Sequence, residues 1–78
     1  MVGAIQVNRA VGARIASARR DAHLTQLQLS QQLQVDRMTV YCWESGRKSI
    51  PLLQLYRLCH VLSTAPSDLL PEPALVDA

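Results

Sequence analysis

The chain has no phenylalanine and only three aromatic residues, Tyr41, Trp43 and Tyr56, in 78 positions. A core so poor in aromatics must be filled by Leu, Val, Ile and Ala, which favours packed helices over a β-sandwich. Cysteine is also scarce: Cys42 and Cys59 are too few for a disulfide framework. Neither belongs to a CxxC or HxxC pair, so although His23 and His60 complete four ligands on paper, the spacing matches no zinc pattern. No apolar run approaches the ~18 residues that span a bilayer, and no charged segment followed by an apolar stretch opens the chain. The sequence shows no nucleophile–base–acid set, no phosphate loop and no paired carboxylates, because its acids are scattered over separate segments. These absences set the expectation of a cytoplasmic, non-enzymatic protein with reduced thiols, no metal, no cofactor, no membrane contact and no small-molecule ligand.

What is present is one domain's worth of chain with an uneven charge. All eight basic residues (Arg9, Arg14, Arg19, Arg20, Arg37, Arg47, Lys48 and Arg57) lie at or before position 57. That stretch holds only three acids, Asp21, Asp36 and Glu44, so it carries +5, while Asp68, Glu72 and Asp77 give the remainder −3. Charge alone fits a solvated basic face as well as a phosphate-binding one.

The apolar spacing predicts an all-α fold of five short helices. Asn8 is placed as the N-cap of a first helix reaching Asp21, with Val11, Ile15 and Ala18 on one face and residues 1–7 as an N-terminal arm. Thr25 caps a second helix, Gln26–Leu33, and Gln28 three residues later completes a capping box. Gln34-Val35 is a very short joint, since Asp36 already caps a third helix reaching Ser45 and burying Val40 and Trp43. Gly46 stops that helix in a left-handed conformation. Arg47 to Ile50 reads as an exposed basic loop, and Pro51 as the first residue of a fourth helix with a stripe of Leu55, Leu58, Cys59 and Leu62. After a turn at 63–66, Ser67 to Leu70 form a final helical turn, closing a domain at 8–70 and leaving a tail at 71–78.

Two helices as short as the second and third, joined so tightly, must cross steeply, as in a helix-turn-helix. A helical hairpin that only builds core would satisfy the same geometry. From about Val11 to Leu70 the residues resemble the Cro/cI-type (XRE-like) helix-turn-helix family, whose fold is lambda-repressor-like. The likeness rests on Arg19, Leu24-Thr25-Gln26, Leu29 and Val35, then Trp43-Glu44-Ser45-Gly46, Arg47-Lys48 and Pro51, then Leu55 to Leu62 and Ser67-Asp68-Leu69-Leu70. Three positions depart from the family pattern. Ser30 replaces a small residue and is expected to bond the carbonyl four residues earlier, while Gln34 and His23 replace glycines and must adopt αL geometry or alter the turns.

The resemblance implies a sequence-specific regulator of transcription, a repressor in the main reading, that binds double-stranded DNA with the helix at 36–45 in the major groove. Arg37, Met38, Tyr41 and Cys42 would face base edges, and Gln26, Thr39, Arg47, Lys48 and Ser49 would take phosphates. Arg19 and Glu44 would join the first helix to the end of the third as an ion pair. A homodimer on a pseudo-palindromic operator is implied, with Pro66, Leu70, Leu53, Tyr56, Leu75 and Val76 as interface residues. The competing class is a protein-interaction module on the same fold, such as an antitoxin or adaptor.

Overall fold

The computed structural model describes residues 3–72, and every regular element among them is helical. The order is α1 (Ala4–Asp21), α2 (Gln26–Leu33), α3 (Arg37–Glu44), α4 (Leu52–Leu62) and α5 (Pro66–Leu69). The third helix packs on both α1 and α2, α4 rests against α2, and α5 closes on α1 and α4. At the centre lie Ile15, Leu29, Leu33, Val40, Leu58 and Leu69, all essentially without solvent contact. Every one is aliphatic, as a chain without phenylalanine requires.

Helix starts follow local chemistry where such chemistry exists. The Thr25 hydroxyl accepts from the Gln28 amide at 3.0 Å, while the Thr25 amide donates to Gln28 Oε1 at 2.8 Å, so the capping box forms in full. Asp36 occupies the cap position of α3 in extended geometry, but its side chain makes no capping bond. The first helix corrects the sequence reading. It begins at Ala4, with Gly3 as cap and the Gly3 amide donating to Gln6 Oε1, so Asn8 lies inside the helix and most of the expected arm is helical. The reason is packing: Val7 continues the Val11–Ile15 stripe one turn earlier and reaches the core. Pro51 precedes α4 as its cap rather than its first residue, and α5 starts one residue early, at Pro66. Ile50 is half-buried against the core, not exposed with the basic loop. Ser30 is buried and its hydroxyl donates to the Leu27 carbonyl, three residues back rather than four.

The ends of α1 to α4 share one device. An amide donates to the carbonyl five residues earlier at 3.0–3.1 Å in Leu24 to Arg19, Val35 to Ser30, Arg47 to Cys42 and Thr64 to Cys59. Each bond closes over one residue of positive φ: His23 at 59°, Gln34 at 58°, Gly46 at 78° and Ser63 at 51°. This is a Schellman ending, in which the left-handed residue turns the chain and the next residue packs back. Leu24 and Val35 do so, both partly buried against the core. Only one of the four turns uses glycine, so the other three hold side chains in a conformation that costs roughly 1–2 kcal/mol each.

The backbones of α1 and the end of α3 approach closely at Gly12. A Cβ on Gly12 would lie 2.3 Å from the Trp43 carbonyl oxygen and 2.5 Å from that of Glu44. Backbone cannot rotate aside, so glycine is required there. Gly12→Ala is therefore expected to cost about 1–3 kcal/mol by forcing the helices apart. Gln34→Gly should instead gain about 0.5–1 kcal/mol, the relieved αL strain less glycine's greater freedom in the unfolded chain. Urea unfolding of both variants beside the parent checks the pair of signs.

Candidate nucleic-acid interface

Four polar groups from three helices and a turn meet at the foot of α3. Arg19 on α1 donates from Nε to Glu44 Oε2 at 2.6 Å and from Nη2 to Glu44 Oε1 at 3.2 Å. Its Nη1 donates to the Leu24 carbonyl at 2.8 Å, tying in the turn before α2. Gln26, the first residue of α2, donates from Nε2 to Glu44 Oε1 at 3.1 Å. The side chains of Arg19 and Glu44 are only 13% and 7% exposed, so the pair is largely out of water. Gln26, expected to take a phosphate, thus has its side-chain amide engaged with Glu44 in this structure.

Clamped at that end, α3 turns Val40 and Trp43 into the core and leaves the opposite side open. Arg37 and Met38 are exposed at its first turn, Tyr41 is exposed one turn on, Cys42 is half-buried, and Thr39 is half-buried on the flank. The fold therefore gathers Arg37, Met38, Tyr41 and Cys42 on or beside the outward surface of one short helix. Arg47, Lys48 and Ser49 follow in the exposed turn after it. The Arg47 and Lys48 amides both donate to the Cys42 carbonyl, which fixes the turn to the helix. The Arg47 guanidinium carbon sits 5.6 Å from the centroid of the Tyr41 ring. Sequence reasoning missed this contact, the Gln26–Glu44 bond and the Gly12 approach. Only the last had a local signal, a glycine inside a helical pattern.

Cys59, by contrast, is core. Burial pushes its thiol up from the ordinary range, and the charge of Asp68 adds to the effect, so it stays protonated at neutral pH. Among the described residues no group of three or more His, Cys, Asp and Glu could hold a metal ion, and no helix is long and apolar enough to cross a membrane.

The residues expected at a dimer interface lie elsewhere. Leu53 and Tyr56 project from α4 at 68% and 57% exposure, Leu70 is 42% exposed, and Pro66 is half-buried at the start of α5. Leu52, on the same turn as Leu53, is equally exposed. A cleft of about 270 Å³ opens nearby, with Val7, Val11, Ile50, Leu52 and Leu70 in its walls. Leu75 and Val76 fall outside the described residues.

A helix pair joined by the short turn 34–36, packed together inside a five-helix all-α domain and followed by a basic turn, is the helix-turn-helix architecture. The helix-turn-helix family model matches residues 15–69, and the chain belongs to this family, in its Cro/cI-type form. Solved structures agree. The clp gene regulator ClgR from Corynebacterium glutamicum superposes with a TM-score of 0.76 at 28% identity, over 81% of this chain and 82% of that one. The restriction-modification controller protein C.AhdI from Aeromonas hydrophila gives 0.75 at 26% identity, over 80% and 94%. HppE, crystallised in its apo form, gives 0.78 at 27% identity over 83% of this chain, which spans only 36% of HppE. No curated protein matches the sequence.

The clamp carries a stability prediction. Glu44→Ala leaves the Arg19 guanidinium buried without its carboxylate, and removal of one partner of such a pair costs about 3–5 kcal/mol. Loss on that scale should bring the domain close to unfolding at room temperature. Chemical denaturation checks it; the double change Arg19→Met with Glu44→Leu, which removes both charges, should recover most of the loss.

Proposed function

We propose that the chain is a sequence-specific double-stranded DNA-binding regulator of transcription, acting as a repressor, which sets α3 in the major groove. The observation that carries the reading is the geometry of α3. Its far end is locked by Glu44 and Gly12, while Arg37 and Met38 stand exposed at its N-terminal turn, the end that contacts base edges in helix-turn-helix proteins. The family match and the likeness to two proteins described as a gene regulator and a controller protein support it. Arg37 makes the bidentate contact to guanine O6 and N7, with Met38, Tyr41 and Cys42 against neighbouring base edges. Thr39, Arg47, Lys48 and Ser49 bind phosphates, as does Gln26 through the start of α2.

Base reading and phosphate binding separate experimentally. Arg37→Ala is expected to relax preference at one base pair of each half-site, worth about 1–3 kcal/mol, because a bidentate contact informs on that pair alone. Lys48→Ala should weaken all sequences alike and flatten the salt dependence by about 0.9 per lost phosphate contact. Affinities across a panel of single-base operator variants at two salt concentrations test both. A uniform loss in Arg37→Ala, with altered base preference in Lys48→Ala, would remove α3 from the role of reading element. If no duplex binds at low salt while one protein is captured, the interaction-module reading takes its place.

A single module covers one half-site, so the reading includes a homodimer on a pseudo-palindromic operator with half-sites about 34–36 Å apart or a multiple of that. The supporting observation is the apolar surface of Leu52, Leu53, Tyr56 and Leu70. Leu53→Glu with Tyr56→Glu should give a folded monomer in sedimentation and lose cooperative binding to the full operator, while half-site affinity persists. A parent protein that remains monomeric on its operator would refute the dimer.

A further inference from the structure

We infer that Tyr41 acts as a positioning residue for Arg47, its ring holding the guanidinium of the basic turn so that the reading helix and the phosphate-binding turn engage DNA as one unit. The inference rests on the DNA-binding reading and extends it. The Arg47 guanidinium carbon lies 5.6 Å from the Tyr41 ring centroid, within the range at which a cation is drawn to an aromatic face. The backbone brings the two together: Gly46 at φ 78° reverses the chain, and the Arg47 amide donates to the Cys42 carbonyl at 3.0 Å, beside Tyr41 in sequence. Neither side chain is buried, so core packing does not account for the contact.

The consequence follows from side-chain entropy. A free arginine on a turn loses rotamer freedom when it grips a phosphate. Stacked on Tyr41, Arg47 has lost part of that freedom beforehand. Tyr41 also shares its helix face with Arg37, one turn earlier. A shift of α3 against the bases therefore carries Arg47 with it, and a misplaced Arg47 pulls on the reading helix.

The test uses Tyr41→Phe, which keeps the ring face, Tyr41→Leu, which removes it, Arg47→Ala, and the double variant Tyr41→Leu with Arg47→Ala. In the free protein, side-chain proton resonances of Arg47 should show a ring-current displacement that persists in Tyr41→Phe and vanishes in Tyr41→Leu. A short mixed-sequence duplex then reads affinity at several salt concentrations. Tyr41→Leu should weaken binding about two- to fivefold more in the parent background than where Arg47 is alanine, and Tyr41→Phe should keep the dependence on Arg47. Arg47 resonances indifferent to the ring, or a Tyr41→Leu loss equally large without Arg47, overturns the inference. Failure of every variant, parent included, to bind any duplex defeats the DNA-binding reading instead; the resonance comparison still decides whether Tyr41 holds Arg47.

Discussion

The Glu44 carboxylate is the point on which the arrangement of the first three helices depends. It is the last residue of α3, and it receives Nε and Nη2 of Arg19 from α1 and the Gln26 amide from α2. Arg19 carries the link on to the Leu24 carbonyl. A fork of this kind fixes direction as well as distance, since guanidinium and carboxylate bond in one plane. Gly12 fixes the remaining coordinate, the separation of α1 from the same end of α3. Hydrophobic burial supplies most of the driving force for folding, and a pair taken out of water adds little net stability over an apolar replacement. What the clamp determines is how α3 is aimed. Its C-terminal end is overdetermined while its N-terminal end, with Arg37 and Met38, carries no such restraint.

That asymmetry matters because α3 is only eight residues long. A helix of this length has little intrinsic stability in water and takes its geometry from what it packs on. Val40 and Trp43 press one side into the core, and Asp36 gives no side-chain bond to its start. The Schellman ending closes the other terminus through the Cys42 carbonyl, which receives the Arg47 and Lys48 amides. The basic turn is thus an extension of the helix end, fixed to the same rigid frame as the clamp.

Much of this architecture was legible in the sequence, and the parts that were not share a cause. The capping box at Thr25 and Gln28, the stripe from Leu55 to Leu62 and the stop at Gly46 are local signals, and the structure shows each of them. The αL turns at His23 and Gln34 followed from the resemblance, which has glycines at those positions, but Ser63 carried no comparable mark. The start of α1 was misplaced because Asn8 offers a good cap, whereas Val7, four residues before Val11, is the better guide: burying its side chain outweighs an available cap. Contacts between elements were hidden altogether. Gln26 to Glu44 spans 18 residues, and no periodicity in one helix reports what another brings to it. The resemblance supplied Arg19 with Glu44, and spacing alone would not have paired residues 25 positions apart.

Helix α4 poses the opposite problem, since it has apolar residues to spare. Leu55, Leu58, Cys59 and Leu62 fill the core from one side, while Leu53 and Tyr56 stand in water away from it and Leu52, at the first turn, is exposed as well. A surface helix ordinarily sets polar residues opposite its core stripe, and one that is apolar on both sides has a second surface to cover. Its polar side chains, Gln54, Arg57 and His60, are too few to screen that face. The acidic remainder of the chain begins after α4, with Asp68, whereas every basic residue precedes Val61. Asp68 and Glu72 thus set negative charge after α4, whereas Arg37, Arg47 and Lys48 set positive charge on and just after α3. In the proposed reading the basic turn after α3 serves DNA and the apolar surface of α4 serves a second copy of the chain. In the proposed dimer α4 meets its own copy without competing with DNA, and two α3 helices are presented together because both are held on rigid frames.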